Sequence, residues 1–218
     1  MAITKSQRAL VVVSYLSASE KWFDGYNFIE ASGMATVDLF LKGKYSCIEK
    51  LKDSNATKAK FLSKLSTLAA KSTIKAIDVI MMTHGATNTL YFYKSSGSKL
   101  DPVNTSTLEA DIKALNIGSK LRLVYSTACF AASHNDNFVD AEFAVSVGAK
   151  GVNTNSATEF PIVLGMWGGG DKISTAITWG EKGYEVFDAI AKLNKNWKDA
   201  DSDKDIYGRG SITIDSSM

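Results

Sequence analysis

Apolar residues fall along this chain in short unbroken runs separated by stretches of helical spacing. That is the pattern of strands buried on both faces and of the amphipathic helices that cover them. Residues 8–16, 77–83 and 121–129 are the clearest runs, rich in β-branched and aromatic side chains, and each predicts a buried strand. Residues 36–45 predict another strand with a glycine-interrupted end, 150–155 a weaker one, and 211–214 a last strand closing the sheet. Phe61, Leu65 and Leu68 predict an amphipathic helix over 57–71. Leu108, Ile112 and Leu115 mark another, opened by the capping-box pair Ser106 and Glu109. Residues 138–147 predict a helix ended by Gly148, and Ile177, Phe187, Ile190 and Leu193 predict one long helix over 173–193. The aromatic run 89–94 reads as a small β-hairpin, and 17–27 as a loop or short helix that leaves the carboxyl edge of the sheet and can wall a site there. Residues 159–171, with Pro161 and three successive glycines, read as a mobile loop beside a cleft. Strands alternating with helices predict an α/β fold: a doubly wound, mostly parallel six-stranded sheet with helices on both faces.

Length and composition narrow the picture. A chain of 218 residues fits one α/β domain, 1–218. With 45% hydrophobic and 22% charged residues, the composition is that of a packed globule and excludes disorder. A net charge of +2, with both signs interspersed, offers no basic face for nucleic acid or a membrane, so the expected partner is a protein or peptide. Composition carries no signal for an oligomeric state. The two cysteines are too few for a disulfide framework and point to free thiols in a reducing compartment, the cytoplasm. The apolar segment after Lys5 and Arg8 is too short for a signal peptide and lacks a convincing cleavage site. No run approaches the ~20 apolar residues that span a bilayer.

The chemistry sits where two of the predicted strands stop. Residues 78–83 run into His84-Gly85, and 121–127 run into Ala128-Cys129. If both strands are parallel in one sheet, both side chains emerge at its carboxyl edge, where open α/β sheets hold their ligands. Neighbouring strands lie ~4.8 Å apart, so His84 and Cys129 can reach one substrate carbonyl. A thiol near its resting pKa of ~8.5 needs a base at neutral pH, and His84 supplies one. Gly85 allows close backbone approach, and its N–H with that of Cys129 offers an oxyanion site. Strand alternation turns Thr127 to the same side as Cys129, where it is expected to bind substrate.

These two motifs resemble the caspase-like (clan CD) cysteine peptidases, a group of caspases, metacaspases, clostripain, gingipains, separase and CHAT domains. Phe130-Ala131 follows the cysteine where the caspase signature ends in x-Gly, so the chain is not a close caspase. The resemblance implies a caspase-like fold, a cysteine endopeptidase that needs no cofactor, and cleavage of a few partner proteins. Within the group, Ser126-Thr-Ala-Cys129 is most similar to prokaryotic CHAT-type and metacaspase-like enzymes, which implies bacterial defence or regulated killing. In metacaspases and clostripain, which cut after Arg or Lys, the position matching Thr127 is typically Asp. The uncharged threonine disfavours a basic residue before the cut unless Glu159 or Asp171 reaches in from the predicted loop. A small or apolar residue is expected there.

Each signal has a plainer counterpart. A lone cysteine is more often core than catalytic, and Cys47, with no histidine beside it, is given that reading. His134 is the alternative base, but a loop position suits a fixed hydrogen bond less well than a strand end. Gly-x-Ser-x-Gly is absent, and the glycine triplet 168–170 lacks the Lys-Ser/Thr of a phosphate loop. Asp199, Asp201, Asp203 and Asp205 alternate as in a calcium loop, yet Lys204 and Gly210 occupy positions that need glycine and glutamate. A solvated turn is expected, with weak calcium binding as the alternative. Against the peptidase stands an inactive caspase-like module that binds a peptide and recruits a partner. A dinucleotide site is not supported, because Gly-x-Gly-x-x-Gly follows no strand.

Overall fold

The structure, a computed structural model, describes residues 2–16, 25–96 and 99–217. At its centre is a six-stranded sheet whose strands are β1 (Arg8–Tyr15), β2 (Cys47–Lys52), β3 (Ala76–Thr83), β7 (Leu121–Ser126), β8 (Val145–Ala149) and β9 (Lys204–Gly208). They lie in the order β2-β1-β3-β7-β8-β9, parallel except for β9. Both faces are covered. β1 and β3 are buried at every residue and send alternate side chains to opposite faces, which is why they read as continuous apolar runs. Val11, Val13, Val79 and Met81 pack with Phe61 and Leu65 of α2 (Lys58–Ala69), Leu108 of α3 (Thr105–Lys113) and Phe138 of α4 (Asn135–Asp140). Leu10, Val12, Ile80 and Met82 pack with Val37 of α1 (Tyr26–Leu41), Phe160 of α5 (Ser156–Gly169) and Ile177 of α6 (Ile173–Gly180). A small antiparallel sheet of β4 (Gly85–Ala86), β5 (Thr89–Tyr93) and β6 (Leu100–Asn104) follows β3, extending the expected hairpin by one strand.

Several expected elements differ. Residues 36–45 are not a strand: most belong to α1, whose buried Gly33, Val37 and Leu41 recur every four residues, a helical spacing. The strand on that side is β2, whose exposed Lys50 and Lys52 hid it and whose edge position explains their tolerance. Residues 138–147 divide between α4 and β8, and 150–155 run past the end of β8 as a loop. Residues 159–171 are not a mobile loop. They lie mostly in α5, which buries Phe160, Val163, Leu164 and Trp167 at helical spacing despite Pro161. The glycines let two helices meet: a Cβ at Gly168 would lie 2.9 Å from the Phe40 carbonyl oxygen of α1. The expected long helix 173–193 is broken at Gly183 into α6 and α7 (Tyr184–Ala191). The sixth strand is β9 rather than 211–214, and Asn104, not Ser106, caps α3 by accepting the Ser106 N–H. Of the segment 17–27, residues 17–24 lie outside the described residues and 26–27 open α1.

The amino-terminal end of the sheet is locked by a buried ion pair. Arg122 donates from Nε to Asp78 Oδ1 at 2.9 Å and from Nη2 to Oδ2 at 2.6 Å. Tyr45 donates to the same carboxylate at 2.5 Å and accepts from Trp167 Nε1 at 3.0 Å. The remaining guanidinium nitrogen holds the carboxyl-terminal segment through the carbonyls of Ile214 and Ser216, at 2.6 and 2.8 Å. Both charges are satisfied, as burial demands.

Candidate active site

β3 and β7 are parallel neighbours in which Met81 pairs with Ser126. His84 and Cys129 each stand three residues beyond that pair, so one register brings both to the same edge of the sheet. The turn after β7 is pinned to β3 by Thr127, whose N–H and hydroxyl both donate to the Met81 carbonyl, at 2.9 and 3.3 Å. Gly85 is a packing requirement here: a Cβ would lie 2.4 Å from the Cys129 carbonyl oxygen and 2.9 Å from Ala128 Cβ. After the cysteine, Phe130 turns the chain with φ of 55°. His84, Thr127 and Cys129 line one cavity of about 410 Å³, walled also by Tyr26, Phe28 and Asn153.

Electrostatics at the cavity are set mainly by burial. Burial pushes the Cys129 thiol up; an N–H from Asn153 and the cation of Lys204 act against that rise. Burial likewise pulls His84 below its ordinary value, opposed by a hydrogen bond to Leu16 and the charge of Glu30. The resting pair is therefore thiol and neutral imidazole. His84 Nε2 lies 3.0 Å from the Leu16 carbonyl oxygen, an acceptor only, so Nε2 carries the proton and Nδ1 is the basic nitrogen. The Tyr26 ring stands edge-on to the imidazole at 4.8 Å between centroids.

Among solved structures, the chain is similar to the crystal structure of caspase-1 from Spodoptera frugiperda. The TM-score is 0.58 at 12% sequence identity, over 95% of this chain and 88% of that one. The fold is caspase-like. No family model matches the sequence, and no curated protein matches it.

The caspase-like sheet brings together some of the candidate residues and separates others. Glu159 does not line the cavity: it is buried on α5, accepts from Tyr125 at 2.8 Å and pairs with Lys204 Nζ at 2.6 Å. Asp171 is exposed beyond the end of α5 and also misses the cavity. Neither carboxylate is thus positioned to receive a basic side chain. His134 is fully buried behind Gly85, with Nε2 2.8 Å from the Ala86 carbonyl, and does not line the cavity. Cys47 opens the edge strand β2, and both cysteines are free. In the aspartate series Asp199 lies exposed in a turn and Asp205 already belongs to β9, and Asp203 and Asp205 pair with Lys150. Among the described residues no group of three or more His, Cys, Asp or Glu side chains gathers as a metal site, and no helix is long and apolar enough to cross a membrane.

Two residues at or behind the cavity, Asn153 and Glu30, went unread in the sequence, whereas Tyr26 falls in the segment 17–27 expected to wall a site at this edge. Asn153 Nδ2 donates to the Thr127 carbonyl at 3.0 Å, and its Oδ1 lies 3.5 Å from Lys204 Nζ. Tyr26 flanks the imidazole, and Glu30 is buried on α1. A glutamate among the buried positions of a helix face was the available signal for Glu30, obscured because that segment does not look helical until packed. Asn153 had none.

Proposed function

We propose that this chain is a cysteine endopeptidase using His84 and Cys129 on a protein or peptide substrate. The observation carrying the reading is that both side chains line one cavity at the carboxyl edge of adjacent parallel strands in a caspase-like fold. Cys129 Sγ attacks the scissile carbonyl carbon as its S–H proton passes to His84 Nδ1, and the backbone N–H groups of Gly85 and Cys129 receive the oxyanion. His84 returns the proton to the departing amine. It then takes one from the water that hydrolyses the thioester and restores the thiol. No cofactor enters these steps. Action in the cytoplasm, in bacterial defence or regulated killing, belongs to the same proposal through the CHAT-type resemblance.

Thr127 also lines a smaller recess of about 50 Å³ beside the cavity, bounded by Gly33, Met82, Ala157, Phe160 and Pro161. Among the described residues it has no charged side chain. A small or apolar residue before the cut fits such a space, because a buried guanidinium or carboxylate without a partner costs several kcal/mol, on the order of 3 or more. A positional-scanning peptide library tests this: cleavage dominated by Arg, Lys or Asp at that position overturns it.

A peptide acyloxymethyl ketone with mass-spectrometric location of the adduct tests the enzyme itself. The adduct is expected on Cys129, and Cys129→Ala and His84→Ala are expected to abolish cleavage in folded protein. Cleavage surviving in folded His84→Ala removes the dyad. The second reading, an inactive peptide-recognition module, is favoured by the burial that holds both Cys129 and His84 neutral. It predicts peptide binding with no adduct.

A further inference from the structure

Glu30 has 1% of its surface exposed, on the face of α1 that packs on the sheet. A carboxylate is rarely found so deep without a task. Its Oε2 accepts the backbone N–H of Leu16 at 2.9 Å, and the carbonyl of that same residue meets His84 Nε2 at 3.0 Å. Leu16 follows the last residue of β1, where no further strand pairing holds it, and its backbone is gripped from both sides. We infer that Glu30 is a positioning residue for His84, acting through the Leu16 backbone to fix the tautomer and orientation of the imidazole. The acceptor that orients the base is thereby built into a rigid helix rather than left at a strand end.

The charge of Glu30 also favours the imidazolium that forms when Cys129 gives up its proton. The groups around this pair come from several elements: Lys52 Nζ of β2, 3.5 Å from Glu30 Oε1, Tyr15 of β1, Tyr26 edge-on to the ring, and Cys129 across the cavity. Lys52 is about half exposed, so solvent screens its charge while that of Glu30 stays buried.

The test joins kinetics with a readout independent of cleavage. Glu30→Gln keeps the shape, removes the charge and replaces the charge-assisted grip on the Leu16 N–H by a weaker amide acceptor. It is expected to lower kcat on the order of 10- to 100-fold with KM within about twofold. It should also move the His84 ring titration, followed by proton NMR, to lower pH. The protein has only two histidines, so His134→Gln assigns the signals. Lys52→Met, which leaves the Leu16 bond in place, should stay within about twofold of the parent. Folded Glu30→Gln with an unchanged His84 titration and an unchanged rate of Cys129 alkylation overturns the inference. The inference rests on the peptidase reading only for kcat: if the parent cleaves nothing, the titration and alkylation rate still decide it. Should Glu30→Gln not fold, hydrogen exchange at Leu16 in the parent decides, slow exchange supporting the clamp and fast exchange removing it.

Discussion

The side-chain amide of Asn153 reaches across 3.0 Å to the carbonyl of Thr127, joining the loop after β8 to the turn that carries Cys129. Its backbone N–H points at the thiol, and its side-chain Oδ1 accepts from Lys204 Nζ at 3.5 Å. Asn153→Ala is expected to leave the fold intact, since the side chain lies at a cavity wall, but to loosen the sulfur. The rate of Cys129 alkylation at pH 7 should fall by about tenfold. A folded variant with the parent rate rules out the tether.

The two cysteines serve as an internal comparison. Cys47 donates to Glu49 Oε1 at 3.6 Å; burial and that carboxylate oppose thiolate formation, and the cations of Lys71 and Lys64 only partly offset them. Cys129 is raised by burial alone, while an N–H and a cation favour its anion and His84 stands in the same cavity. Limiting iodoacetamide near neutral pH should therefore modify Cys129 first, read by peptide mapping. Because its thiol is raised, the rate should still climb above the ordinary thiol range. Faster labelling of Cys47 would reassign the reactive thiol.

Acid stability follows from the two histidines. Burial lowers both His84 and His134, so the unfolded chain binds protons that the folded chain resists. Their neutral forms contribute stability that is fully present above the unfolded value of about 6.5 and is lost as pH falls through the lower folded values. Urea midpoints measured between pH 7.5 and 4.5 should decline, and His134→Gln should flatten that decline. An unchanged slope in His134→Gln would show that its burial is not what acid disrupts.

Arg122→Leu should destabilise the protein by about 3–5 kcal/mol, because it leaves the Asp78 carboxylate buried without its cation. Asp78→Asn on that background should recover part of the loss. Urea denaturation of the three proteins measures both, and a loss below about 1 kcal/mol in Arg122→Leu would mean that solvent reaches Asp78.

What the sequence determined by itself is the α/β class and three adjacent strands of the sheet, with the residues that stand at their carboxyl ends. A strand buried on both faces must be apolar at every step, so β1, β3 and β7 stand out locally, and His84 and Cys129 mark where two of them end. Tertiary structure decided the elements whose local signals conflict with their environment. Residues 36–41 read as a strand until a helix face needs them, and α5 tolerates Pro161 and its glycines because four large apolar side chains bury against the sheet and its neighbours. Edge strands β2 and β9 carry the charged residues that their open sides permit. The contacts that surround the candidate residues were the least legible in the sequence. Glu30 meets Leu16 across 14 residues, Asn153 meets Thr127 across 26, and Lys204 meets Asn153 across 51. Such pairings carry no periodic signature, because each is selected only once folding has removed water from both partners and left each polar atom in need of the other.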